Sequence, residues 1–518
     1  MCRFHHSGIL FLWALFGLIQ VGLAYTPARA HEPGLSSQDT PPSHSTVPPE
    51  LEGFPERWEA AMKEMGVPGM AVTVVRGDEV IYTATFGERD PVKHLPVTPD
   101  TVFYIASCTK SFMAMAVMSL VEEGKVDLDA SVKKYLPRFV LSDSSLTETL
   151  SVRDLLSHAK GINSQPIVFL DAFTGEITED RFYHWLKTAE IRRKFAYSNL
   201  HYTLAGRVAE AVTGKPWKDV LEDRIFGPAE MTRSTAYAAK MYGDADAGIP
   251  CEVREGKIVP TEVRKTDQTM HAAGGLGASI TDLGKWLEIN LNGGVVNGKR
   301  IVSESTIAEM QKTQARGEEN EFLPNVVRTG YGLGWMIGTY CGVPRLEHGG
   351  GYTGTSAHVS FMPQHKLGVA AIANAGGALP HVVAMDVYDR ILKLEGADVL
   401  PELQTRAQKG NRREEKRVAT IRKNPLTAQS LSRPIEEYVG TYVHPDWGTV
   451  VIERQEDHLK GHVGGLPLAL SAVGTDRFNA LVGGDQEEEG RFETSDAVKA
   501  IVIALAAGDT DVRFERAK

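Results

Sequence analysis

The sequence predicts an α+β fold, an antiparallel sheet flanked by helices with an inserted helical block, followed by a small C-terminal all-β domain. Three observations carry this. β-rich apolar runs stand near the start of a long first segment, at Gly69 to Val75 and Val80 to Phe86, and again near its end, at Ala357 to Met362 and Gly368 to Asn374. Between them the apolar residues recur at helical spacing, so the sheet must draw strands from both ends and enclose a block of helices. After Ile435 short β-rich runs alternate with turn residues, the pattern of a meander or partial barrel.

The elements follow in order. Met1 to Ala30 carries Arg3, His5 and His6, an apolar run from Gly8 to Ala24 and a small-residue stretch at Ala28-Arg29-Ala30, which reads as a secretory signal. An exported, periplasmic or secreted protein is expected, with a membrane as partner only if that segment stays uncleaved. Residues 31–50, rich in Pro, Ser, Thr and His, read as a flexible tether. The first domain is expected over 51–396. It opens with a short helix at Trp58 to Lys63, and Arg76 to Glu79 turns the first two strands into a hairpin. A helix begins at Ser107 with the apolar run Phe112 to Met118 and ends near Gly124.

A capped turn of helix follows at Ser151 to His158, and residues 163–196 carry mixed signals typical of a binding-site wall. Helices are expected at Glu179 to Lys187, His201 to Val212, Trp217 to Ile225 and Thr281 to Asn290, and a strand at Tyr331 to Ile337. Pro363 to Lys366 turns a second hairpin, and a helix at Val382 to Leu394 closes the domain. The basic, polar stretch 397–434 reads as a linker with a solvated helix, and 435–518 as the small β-domain.

At 518 residues the chain exceeds one ordinary core, and 42% hydrophobic with 24% charged residues is a globular composition. The net charge of −10 and the lack of an aromatic-rich basic patch argue against nucleic acid as a partner. Of the four cysteines, Cys2 lies in the signal, Cys108 beside a candidate nucleophile, and Cys251 with Cys341 remains open as a pair. There is no C-x-x-C or H-E-x-x-H, and the histidines lack ligand spacing, so neither metal nor other cofactor is expected.

Chemistry points to Ser107-Cys108-Thr109-Lys110. Serine and lysine three apart share a helix face, and a lysine among apolar neighbours loses basicity until it can act as a base at neutral pH. The same S-x-x-K spacing occurs at Ser131 to Lys134 and Ser157 to Lys160, but the first has charged neighbours and the second lies at a helix end before Gly161. Tyr197-Ser198-Asn199 adds a phenol that becomes a phenolate if cations favour it, and an amide able to hold a carbonyl or orient Lys110. Packing and capping are the ordinary roles of such residues. Glu347-His348-Gly349-Gly350-Gly351 offers backbone that a substrate can approach closely and N–H groups for an oxyanion, or else a flexible turn.

Together, Ser107 to Lys110, Tyr197 to Asn199 and His348 to Gly350 resemble the S-x-x-K, Y-x-N and K/H-x-G elements of the penicillin-recognising serine hydrolases. The likeness is to the class C β-lactamase-like branch, which includes esterases and D-aminopeptidases. Ser151 to His158 and Ala272-Ala273-Gly274-Gly275-Leu276 extend it over about residues 55 to 395. The resemblance implies a β-lactamase/transpeptidase-like fold and an acyl-enzyme. Ser107, Lys110 and Tyr197 would be catalytic, the N–H groups of Ser107 and Gly351 the oxyanion hole, and Asn199, His348, Gly349 and Gly350 substrate-binding. A small molecule or short peptide is the implied substrate. Where many relatives carry a lysine for a substrate carboxylate, this chain has His348, and Gly349 replaces a threonine. The C-terminal domain, through Tyr438 to Tyr442, resembles small β-barrel appendages that reach over the site. The rival reading is a non-catalytic penicillin- or peptidoglycan-binding sensor, which would not need the proton-transfer groups.

Overall fold

A computed structural model describes residues 46–483, 486–505 and 511–517. The expected signal at 1–30 and residues 31–45 of the expected tether lie outside the described residues. Helix α1 (Phe54–Met65) leads into a hairpin of β1 (Gly69–Arg76) and β2 (Glu79–Asp90), with β3 (Leu95–Pro96) at the edge. Within the helical block, α2 (Thr109–Glu122), α3 (Asn199–Thr213) and α4 (Ile280–Leu291) frame the site. The sheet is completed by β4 (Ala315–Leu323), β5 (Val326–Tyr331), β6 (Met336–Tyr340), β7 (Val343–Tyr352), β8 (Thr355–Met362) and β9 (Leu367–Ala373). Its nine strands run in the order β4-β5-β6-β7-β8-β9-β1-β2-β3, with every neighbouring pair antiparallel.

β1 is the seam between the two ends of the segment, pairing with β2 on one side and β9 on the other. It is buried on both faces. Ala71 and Val75 pack with the helical block, while Met70, Val72 and Val74 pack with α1 and with α5 (Leu379–Leu392). That is why it reads as a continuous apolar run rather than an alternating one. Helix α2 is buried at every position from Thr109 to Leu120, and its Phe112 stacks on Trp286 of α4 with ring centroids 3.8 Å apart.

Several expectations change. The strand expected at Tyr331 to Ile337 is two strands, β5 and β6, joined by a turn in which Gly334 takes φ 86° against α2. β4 and β7 carried no strand signal: β4 is acidic along its length, and the glycines of β7 suggest a turn. The helix expected at Trp217 to Ile225 is α-helical only over Trp217–Leu221 and continues as a π-turn. Cys251 and Cys341 do not pair; both are free thiols.

Helix α6 (Leu400–Lys423) connects to a closed barrel of eight antiparallel strands: β10 (Gly440–His444), β11 (Gly448–Gln455), β12 (His458–Val463), β13 (Leu466–Gly474), β14 (Arg477–Val482), β15 (Gln486–Thr494), β16 (Val498–Ala504) and β17 (Asp511–Arg516). Closure of β10 on β17 removes both sheet edges. The barrel docks on the irregular wall of the helical block. Arg181 Nε donates to the Pro445 carbonyl at 2.6 Å, Trp185 Nε1 to the Asp446 carbonyl at 3.1 Å, and the Thr449 N–H to the Glu176 carboxylate at 2.9 Å.

Candidate active site

Ser107 sits in a short 3₁₀ turn, Ala106–Cys108, at the entrance to α2. Ala106 before it takes a left-handed φ of 46°, a conformation that costs energy for a residue with a side chain and must be held by its surroundings. The Ile105 N–H donates to the Leu276 carbonyl at 2.9 Å, and Thr109 Oγ1 donates to the Ala106 carbonyl at 2.6 Å. Against this turn runs β7. A Cβ on Gly350 would lie 2.0 Å from the Ile105 carbonyl oxygen, so only glycine permits the approach.

The three glycines are therefore strand rather than turn: Gly349, Gly350 and Gly351 face His358, Ala357 and Ser356 of β8. Ser107, Tyr197, Asn199 and the three glycines are all partly exposed, whereas Lys110 is 0% exposed.

Lys110 Nζ has three neighbours at bonding distance: Ser107 Oγ at 3.0 Å, Asn199 Oδ1 at 2.9 Å and the Ala273 carbonyl at 2.7 Å. Among the described residues no carboxylate pairs with it. Burial drives its pKa well below the ordinary 10.5, which favours the neutral amine. A neutral amine has two N–H donors and one lone pair. The two carbonyl-type acceptors, Asn199 and Ala273, take the hydrogens, and the lone pair is left to the Ser107 hydroxyl.

Tyr197 lies over the same amine, with Nζ 4.8 Å from its ring centroid, and its phenol is near enough to feel the Ser107 hydroxyl. The phenolate that the sequence allows is not favoured: burial pushes the phenol well above its usual 10.0.

His348 is 0% exposed, and both ring nitrogens are engaged. Nδ1 is 2.7 Å from the Gly349 carbonyl and must be the protonated nitrogen there; Nε2, 3.0 Å from the Tyr331 hydroxyl, accepts. Desolvation lowers its pKa to about 3, so the ring is neutral and no nitrogen is free for a ligand.

Behind Tyr197, His158 Nδ1 lies 2.6 Å from His201 Nδ1, and the His158 ring lies tilted against that of Tyr197 with centroids 4.7 Å apart. Burial lowers both imidazoles, His201 to about 4. Sequence reasoning missed Tyr331, His201 and the Ala273 carbonyl. Ala273 acts through its backbone, and Tyr331 and His201 stand in stretches with no motif.

The other two S-x-x-K patterns are structural. Ser131 caps a 3₁₀ turn by accepting the Lys133 N–H. Ser157 Oγ donates to the Arg153 carbonyl, and Lys160 pairs with Asp154 at 2.9 Å. Among the described residues one cluster has metal-ligand types, Glu347, His358 and His381, all buried. Its carboxylate is already held by Arg328 at 2.8 Å and Arg345 at 2.6 Å, two fixed cations that oppose a third, and it stays well below the usual carboxylate range.

The model of the Beta-lactamase family matches residues 55–392, most of the chain. The chain belongs to the beta-lactamase family. Its barrel matches a second model, a domain of unknown function called DUF3471, over residues 425–516. Penicillin-binding protein 4 of Amycolatopsis lactamdurans is 28% identical over 62% of this chain and 85% of its own length. A protein named unguisins hydrolase ungD' from Aspergillus campestris is 26% identical over 78% of both chains. The octameric penicillin-binding protein homologue of Pyrococcus abyssi superposes over 89% of this chain and 99% of its own with a TM-score of 0.57; at 23% identity this shows the fold. In this family member the β-lactamase/transpeptidase fold expected from sequence is present, together with the C-terminal all-β domain.

Proposed function

We propose that this beta-lactamase-family protein is an exported serine hydrolase that cleaves an ester or amide bond through a serine acyl-enzyme. The observation that carries the reading is the bonding of Lys110: two acceptors consume its hydrogens, and its lone pair meets Ser107 Oγ at 3.0 Å. A protein that only captured a ligand would not need a lysine kept neutral at the cost of burial.

In the first step Ser107 Oγ attacks the substrate carbonyl carbon as its proton passes to Lys110 Nζ. The oxyanion that forms is received by the N–H groups of Ser107 and Gly351. Collapse of the tetrahedral intermediate breaks the ester or amide bond. Tyr197, protonated and beside Ser107, hands its proton to the departing oxygen or nitrogen and is reprotonated from the Lys110 ammonium, which restores the neutral amine. Water then attacks the acyl-serine carbonyl as its proton passes to Lys110 Nζ, and collapse of the second tetrahedral intermediate breaks the bond to Ser107 Oγ, which takes that proton back from the Lys110 ammonium. Asn199 holds Lys110 and offers its amide N–H groups to the substrate. Export rests on the pattern of Met1 to Ala30.

The test is Ser107→Ala on a panel of short-chain esters, D-amino-acid amides and a chromogenic cephalosporin, with a fluorophosphonate label read by mass spectrometry. Turnover of the cleaved substrate should fall by about 10⁴-fold or more and the label should leave position 107. Full activity in the variant, or a label elsewhere, defeats the proposal.

A further inference from the structure

In the reaction above Tyr197 carries the proton that the leaving group needs, yet residues 195–198 belong to no helix or strand. One residue anchors this stretch on both sides of the phenol. The His158 carbonyl accepts the Ala196 N–H at 3.1 Å, His158 Nδ1 lies 3.4 Å from the Ser198 nitrogen, and the His158 ring rests against Tyr197. His158 ends the helical turn Val152–Ser157 with φ 57°, a left-handed position where glycine or asparagine would be at ease. A larger side chain kept there on strained backbone points to a use for that side chain.

What orients the His158 imidazole is His201, in the first turn of α3. The two Nδ1 atoms are 2.6 Å apart, and burial keeps both rings neutral, so a single hydrogen lies between them. Backbone N–H groups can only donate, and they assign that hydrogen. Ile162 donates to His201 Nε2 at 3.1 Å and Ser198 to His158 Nδ1, which leaves the hydrogen of His201 on Nδ1 and that of His158 on Nε2. The Lys160 carbonyl, 3.2 Å from His201 Nε2, favours the reverse tautomer but is one acceptor against two donors. His158 Nε2 is buried and has no hydrogen-bond partner among the described residues. The ring is therefore directed through Nδ1 alone, by His201 and Ser198. His201 in turn stands on the helix that begins with Asn199, the partner of Lys110.

We propose that His158 and His201 are positioning residues, an imidazole pair locked in one tautomer that ties the loop carrying Tyr197 to the helix carrying Asn199 and so holds the phenol at the reaction centre. This rests on the serine-hydrolase reading above.

A double-mutant cycle reads the role on whichever panel substrate is turned over. His158→Leu should lower kcat by about 10-fold or more while Tyr197 is present, and His201→Leu should do the same and covers the case in which the first variant misfolds. In the Tyr197→Phe background the same changes should cost less than about 2-fold, because no phenol is left to place. His158→Asn tolerates the left-handed backbone and can set Oδ1 where Nδ1 stood, so it should keep kcat within about 3-fold of wild type. No loss in either Leu variant, equal fold losses with and without the Tyr197 hydroxyl, or His158→Asn as slow as His158→Leu each overturn the proposal.

Amide hydrogen exchange in Ser107→Ala protein separates this from failure of the hydrolase reading. Adding His158→Leu or His201→Leu should speed exchange of the Ser198 N–H by about 10-fold or more, and adding His158→Asn should leave it slow, whether or not any substrate is cleaved. Unchanged exchange in both Leu variants overturns the positioning role independently of turnover.

Discussion

An arginine at position 110 would keep hydrogen-bond donors for Asn199 and Ala273 but could not give up its proton. Lys110→Arg therefore separates a positioning role from that of a base. If the neutral amine takes the Ser107 proton, kcat should fall by about 10²- to 10⁴-fold with the protein still folded by circular dichroism. Near-normal kcat would mean that the lysine only holds its neighbours. The pH profile carries the same information with a definite sign. Burial lowers the Lys110 pKa, so the working form is the unprotonated one, and kcat/KM should rise with pH and level off well below the ordinary 10.5. A rate still climbing through pH 10 would place Lys110 in its unperturbed state. Ser107 and Lys110 were legible because serine and lysine three apart share a face and the run after them is apolar. The environment of His348 was not. Whether an imidazole faces a substrate or a tyrosine is decided by Tyr331, a residue on another strand that no local pattern connects to it.

Strand β7 holds the candidate site together because its backbone touches the turn that carries Ser107, and each glycine in it can be judged by what a side chain would meet. A Cβ at Gly350 would sit 2.0 Å from the Ile105 carbonyl and 3.1 Å from the Cys108 nitrogen, whereas one at Gly349 meets nothing nearer than the Ala357 carbonyl at 3.9 Å. Gly350→Ala must push the strand away from Ser107 and open the oxyanion position. A shift of about 1 Å is enough to lower kcat/KM by around 100-fold, and Gly349→Ala should lose far less. Equal losses in the two variants would show that close backbone approach is not what the glycines provide. The sequence pattern H-G-G-G is compatible with a turn, and only pairing with β8 makes it a strand. β1, β8 and β9 were legible because apolar burial on both faces leaves an uninterrupted run, while the acidic edge strand β4 gives no such signal.

At the scale of the molecule, the two-ended sheet and the separate β-domain were readable from the order of apolar patterns, but barrel closure was not, since it depends on β17 returning to β10. The docking of the barrel was also silent in sequence, being made largely by backbone carbonyls and by Glu176, Arg181 and Trp185. One property of the whole first domain follows from groups scattered across it. His158, His201, His271, His348, His358 and His381 are all buried with pKa values pushed below 6.5 by desolvation, His201 to about 4 and His348 and His381 to about 3. Below pH 6.5 the unfolded chain takes up protons that the folded chain refuses, so folding stability falls as pH falls, by up to about 1.4 kcal/mol per pH unit for each such group. Glu347, held low by its arginines, adds a loss of the same sign below its ordinary 4.5. In the barrel His444 is lowered as well, but it is only partly buried. Calorimetric scans from pH 7 to pH 5 should therefore show the first-domain transition moving to lower temperature faster than the barrel's. Parallel shifts of the two transitions would mean that these histidines are not held neutral inside the fold.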